Sequence, residues 1–87
     1  MNVMHNENYS EQELIDGARR GEQEAMKRIY LLHARYLTAV CSRYVVNPED
    51  VRDTLQDSFV AIFGNIDKYR PKENASLRSW MTRIVVN

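Results

Sequence analysis

Apolar residues in this chain return at intervals of three and four, and almost nothing interrupts them: its 87 residues include only 3 Gly and 2 Pro. That period belongs to the α-helix, not to the alternation of a half-buried strand. A chain of this length forms one small core and hides only roughly 60–68% of its unfolded surface, so a deep catalytic cavity with its own supporting shell is hard to build. The expected fold is all-α, a small bundle of about four helices. A binding module is the better expectation than an enzyme.

Three helix starts are legible. Ser10 followed by Glu13 matches a capping box, in which the hydroxyl accepts from the third helical amide and the carboxylate reaches back to the cap's own amide. It opens a helix from Glu11 to about Arg19 with Leu14, Ile15 and Ala18 on one side, and Gly21 interrupts it. A second helix is expected from Glu22 to about Val45, its stripe made of Met26, Ile29, Tyr30, His33, Leu37, Val40, Cys41 and Tyr44. Asn47-Pro48-Glu49-Asp50 is the next start: a cap oxygen, a proline at the first helical position, and two acids facing the positive end of the dipole. Val51, Leu55, Phe59, Ile62, Phe63 and Ile66 then share one sector, with Gly64-Asn65 leaving the last turn open. Asp67 to Ala75 reads as an exposed loop, after which Ser76 caps a final helix that turns Leu77, Trp80, Met81, Ile84 and Val85 inward. Met1 to Tyr9 is polar and aperiodic, a flexible tail before a folded domain of residues 10–87.

The formal net charge is zero, but the charges stand in blocks: −4 over residues 1–24, +4 over 25–48, −3 over 49–66 and +3 over 67–87. Such blocks either attract one another within the fold or form two opposed contact faces. In the third helix Asp50, Asp53 and Asp57 fall within about 60° of one another at 100° per residue. Like-charged neighbours cost a helix roughly 0.2–0.5 kcal/mol per pair, and no Lys or Arg stands four residues after any of them. The stripe is either a solvated face or a docking surface for a basic partner. A second surface combines the loop residues Lys68, Tyr69, Arg70 and Lys72 with Ser79, Arg83, Asn87 and Trp80 along one margin of the last helix. Cations track phosphate, aromatics stack on bases, and an amide both donates to and accepts from a base edge, a composition that suits single-stranded nucleic acid. Trp80 at helical spacing is more often a core residue than a stacking platform.

Other chemistry finds little support. His33 has no second ligand at metal-binding spacing and reads as structural, and lone Cys41 reads as a small buried apolar residue. No phosphate-binding glycine loop, paired-histidine site or Ser/His/Asp set is present, so neither enzyme activity nor a cofactor or metal is expected. The absence of a signal-like opening and of an apolar run near the ~18 residues of a membrane span fits a reducing, cytoplasmic setting.

From Leu14 to Asn87 the order of these features resembles the second conserved region of bacterial RNA polymerase sigma factors, in particular the extracytoplasmic-function type. Gly21-Glu22-Gln23-Glu24-Ala25-Met26 is similar to the family's "GD-x-x-A-F" opening, Asp53-Thr54-Leu55-Gln56-Asp57-Ser58-Phe59 to its "D-L-V-Q-E-V-F" helix, and Ser76 to Asn87 (SLRSWMTRIVVN) to its "S-F-R-T-W-L-Y-R-I-A-x-N" run. The resemblance implies that Asp50, Asp53, Gln56 and Asp57 dock on a basic coiled coil of the largest subunit of core RNA polymerase. It implies that Lys68, Tyr69, Arg70, Lys72, Asn74, Ser76, Arg78, Ser79, Trp80, Arg83 and Asn87 meet promoter DNA, recognising and melting the minus-ten element. There a non-template base is flipped into a pocket whose loop matches Tyr69 to Ser76 and whose helix contact matches Asn87. An anti-sigma protein is a further partner class of the family.

Two departures stand out. Trp80-Met81 replaces the paired tryptophans of primary sigma factors, which implies a poorer wedge and a stricter need for a well-matched promoter. The loop Tyr69-Arg70-Pro71-Lys72-Glu73-Asn74-Ala75 differs from the common "F-R-G-E-S-S" form. Nothing after Asn87 supplies the family's helix-turn-helix domain, so the chain is expected to be a fragment of a longer protein. The rival reading is a sigma-like helical adaptor that binds proteins and never touches DNA.

Overall fold

A computed structural model describes residues 9–73 and 76–87. Among these it contains four α-helices, α1 (Glu11–Arg19), α2 (Gln23–Cys41), α3 (Pro48–Gly64) and α4 (Leu77–Val86), with a short 3-10 turn, Ile66–Lys68, after α3.

The starts of α1, α3 and α4 are each made by the capping group that the sequence supplies, whereas Glu22 before α2 makes no side-chain cap bond. The Ser10 hydroxyl accepts from the Glu13 amide at 3.0 Å while the Ser10 amide donates to the Glu13 carboxylate at 2.9 Å, closing the box. Asn47 accepts from the Glu49 amide at 2.8 Å, and Ser76 accepts from the Ser79 amide at 3.0 Å. Such caps each stabilise a helix by about 1 kcal/mol.

Helix α2 runs through the middle and touches α1, α3 and α4. Leu14 and Ile15 of α1, Ile29, Leu37 and Cys41 of α2, Leu55, Phe59 and Ile62 of α3, and Leu77, Met81 and Val85 of α4 form one core. Burying each large aliphatic side chain contributes roughly 1.5–3 kcal/mol. Two glycines set how α1 meets α2. Gly21 turns the chain between them with φ +79°, a conformation that strains any side-chain-bearing residue. Gly17 lets the helices approach until an added Cβ would lie 2.7 Å from that of Ala25.

The structure corrects several boundaries. Helix α2 stops at Cys41 rather than near Val45, because beyond it the amides of Arg43 and Tyr44 donate to carbonyls only three residues back, Val40 and Cys41, tightening the chain out of the α-helix. Tyr44 is therefore 70% exposed and not part of the stripe. Tyr30 lies at the edge of the stripe, its ring 4.9 Å from that of Phe59 in an edge-on contact. Ile66 is buried as expected, but from the 3-10 turn and not from α3. Tyr9 is half-buried against the core with the Arg28 guanidinium 5.7 Å from its ring, whereas residues 1–8 lie outside the described part. Among the described residues no helix is long and apolar enough to cross a membrane.

Candidate functional site

The two charged surfaces are built differently. On α3, Asp50, Asp53, Gln56 and Asp57 are all exposed, because the buried sector of Val51, Leu55, Phe59 and Ile62 occupies the other side. None of the ion pairs among the described residues involves these aspartates; those pairs are Arg19 with Asp16, Arg20 with Glu22, and Arg28 with Glu24. The acid stripe thus keeps its field directed outward. Beside it runs an open apolar groove of about 510 Å³ lined by Tyr30, Leu55, Phe59, Val60 and Phe63, with Arg52 and Gln56 completing the lining. Sequence periodicity missed this groove. Its one signal is Val60, a branched apolar residue in the polar sector of α3 that is 71% exposed.

The basic loop is held by its own carbonyls. Arg19 reaches across from α1, its Nε donating to the Ile66 carbonyl at 3.2 Å and its Nη2 to the Tyr69 carbonyl. Arg70 donates from Nη1 to the carbonyls of Asp67 and, at 3.1 Å, Tyr69. The Glu73 amide closes a turn onto the Arg70 carbonyl at 2.9 Å. Lys68 and Lys72 project from this frame into solvent.

Two residues expected at a nucleic-acid surface are engaged within the protein itself. Tyr69 is 2% exposed, one of the core side chains, with its ring 5.3 Å from the Trp80 ring at 48°. Its aromatic area is spent on packing, so it is not an exposed stacking platform. Arg78 turns to α2: its Nε donates to His33 Nδ1 at 3.1 Å, its Nη2 to the Leu32 carbonyl at 3.2 Å, and its guanidinium carbon lies 4.4 Å from the centre of the Tyr36 ring. A long side chain with several donors finds partners 45 residues away, which no local pattern discloses.

The remaining expected residues divide by exposure. Ser79, Arg83 and Asn87 are exposed along α4, and Trp80 is half-buried beside them. Ser76 serves as the cap of α4, and its hydroxyl donates to Ser79 Oγ at 3.0 Å. Asn74 lies outside the described residues.

His33 is 8% exposed, and its Nδ1 lone pair is taken by Arg78, which fixes the imidazole proton on Nε2. Burial, and secondarily the Arg78 charge, push its pKa down from 6.5 to about 4, so the ring is neutral at neutral pH. Among the described residues no three His, Cys, Asp or Glu side chains gather as a metal site.

Residues 29–87 match the family model described as Sigma-70 region 2. The chain is similar to the ECF RNA polymerase sigma-E factor of Salmonella typhimurium (strain LT2), with 28% identity over 81 residues, 93% of this chain and 41% of that protein. It is 27% identical to the protein of that name from Escherichia coli (strain K12) and 25% identical to the one from Haemophilus influenzae, with the same coverage. The chain thus spans about two fifths of the length of these curated relatives.

Proposed function

This chain belongs to the Sigma-70 region 2 family, and on that premise we propose that it is the promoter-recognition module of an extracytoplasmic-function sigma factor. It binds core RNA polymerase through α3 and recognises and melts the minus-ten element with the loop after α3 and with α4. It has no catalytic step of its own and works in the cytoplasm.

The observation that carries this reading is the separation of charge. An acidic face whose aspartates make no ion pair among the described residues occupies α3, while Lys68, Lys72 and Arg83 are exposed on the following loop and helix, beside Trp80 and Asn87. The acids meet a basic coiled coil of the largest polymerase subunit, with the groove under Val60 adding apolar area to the contact. The cations hold non-template phosphates, and Trp80 and Asn87 meet unstacked bases. Extruding a base costs a few kcal/mol, so melting becomes favourable only when contacts to the single strand exceed that cost. Stacking at roughly 1–3 kcal/mol per base is of the required size.

The test is anisotropy of labelled single-stranded oligonucleotides, selected from a randomised pool, titrated with the chain alone and assembled on core polymerase at several salt concentrations. With about three cationic contacts, the log-log salt slope should be about −2. Arg83→Ala and Asn87→Ala should weaken binding. Absence of saturable binding on core polymerase would favour the protein-binding adaptor instead, and saturable binding untouched by both substitutions would remove Arg83 and Asn87 from the interface.

A further inference from the structure

At 100° per residue, Arg78 lies about 180° around α4 from Asn87. The side chains between them on the buried side are Leu77, Met81 and Val85, which pack into the core. Arg78 therefore sits on the margin of α4 that faces α2, and the exposed row of Ser79, Arg83 and Asn87 lies on the other margin. All three partners of Arg78, the His33 imidazole, the Leu32 carbonyl and the Tyr36 ring, belong to little more than one turn of α2.

From this arrangement we propose that Arg78 is a positioning residue: with His33 as its buried acceptor, it fixes the rotation of α4 about its own axis and so aims Trp80, Arg83 and Asn87 at DNA. The inference rests on the minus-ten reading above.

Apolar packing alone leaves a helix some freedom to roll, since core side chains tolerate repacking when volume is kept. A planar guanidinium bound at two angles to two acceptors, with a ring near its carbon, removes that freedom. His33 suits the task because its neutral ring presents an in-plane lone pair, and its low pKa keeps that lone pair unprotonated over the whole neutral range. A direct phosphate contact needs only charge. A positioning contact needs the fork.

The substitution Arg78→Lys separates the two roles. The experiment compares Arg78→Lys, His33→Leu, His33→Gln and the Arg78→Lys/His33→Leu double variant, assembled on core polymerase. The probes are the oligonucleotide selected for the unaltered chain and versions with single-base changes, at several salt concentrations, with thermal unfolding of each variant as the folding check.

If Arg78 positions α4, Arg78→Lys and His33→Leu each reduce discrimination between selected and altered oligonucleotides by about tenfold, the size of one recognised base. The salt slope stays unchanged, the double variant is no worse than either single one, and His33→Gln, which keeps a neutral acceptor, restores discrimination. Discrimination unchanged in both single variants, or a lower salt slope for His33→Leu, overturns the positioning role while leaving minus-ten binding intact. An unaltered chain that gives no saturable binding overturns the underlying reading, and this one with it.

Discussion

The outer face of α3 and the segment from the 3-10 turn to α4 carry opposite charges, and the fold treats those charges in opposite ways. The aspartates of α3 point into solvent, with none in an ion pair among the described residues. In the basic segment two of the cations are bonded to the protein itself: exposed Arg70 braces its own loop and half-buried Arg78 grips α2, while Tyr69 has gone into the core. Short carboxylates on a regular helix have little reach. Arginines, with long apolar stems and five donors, can serve the fold as readily as a partner.

This contrast can be broken at several points. The largest effect on binding is expected from Asp53→Lys with Asp57→Lys, which should weaken capture by core RNA polymerase in a pull-down or interferometry assay by at least about a hundredfold. The melting temperature should remain close to that of the unaltered chain; an equal loss of folding would show that the stripe is internal structure after all.

Tyr69→Ala should behave as a core truncation and lower unfolding free energy by about 3–5 kcal/mol in urea. Tyr69→Phe, which keeps the ring, should stay within about 1 kcal/mol. A Tyr69→Ala chain of full stability but lost DNA binding would return Tyr69 to the interface.

A smaller effect follows from His33. Its folded pKa of about 4 lies below the ordinary 6.5, so between those values the unfolded chain holds more protons than the folded one. Stability is therefore complete above about pH 6.5 and declines as pH falls toward 4, by up to about 3 kcal/mol. His33→Gln should remove this component, so urea midpoints of the two chains at about pH 7 and about pH 4.5 should differ in their pH dependence. Parallel curves would mean that His33 does not titrate in this window.

Much of the fold was legible because it is written locally. Ser10, Asn47 and Ser76 sit immediately before helices that they cap with their own oxygens, and the stripes of α3 and α4 fall on the core as their spacing requires. Tyr44 was misread because a period of three and four continues on paper after the backbone has left the helix. Tyr69 follows a 3-10 turn, where no helical or strand period says which way a ring points. The close approach of Gly17 to Ala25 involves two small residues on different helices, and nothing in either neighbourhood marks it. Of the candidate site, the acidic face was read directly, whereas the groove beside it and the direction of Arg78 depend on packing between elements far apart in sequence.

The clamp of Arg19 on the Ile66 and Tyr69 carbonyls bears on what can be inherited or transplanted as a unit. The family match begins at residue 29, yet the loop inside that match takes part of its shape from an arginine that precedes it. Grafting residues 29–87 onto another scaffold would carry over every letter of the loop and leave behind one of the hands that holds it. The structural unit here is larger than the stretch that the family model matches, and α1 is part of it.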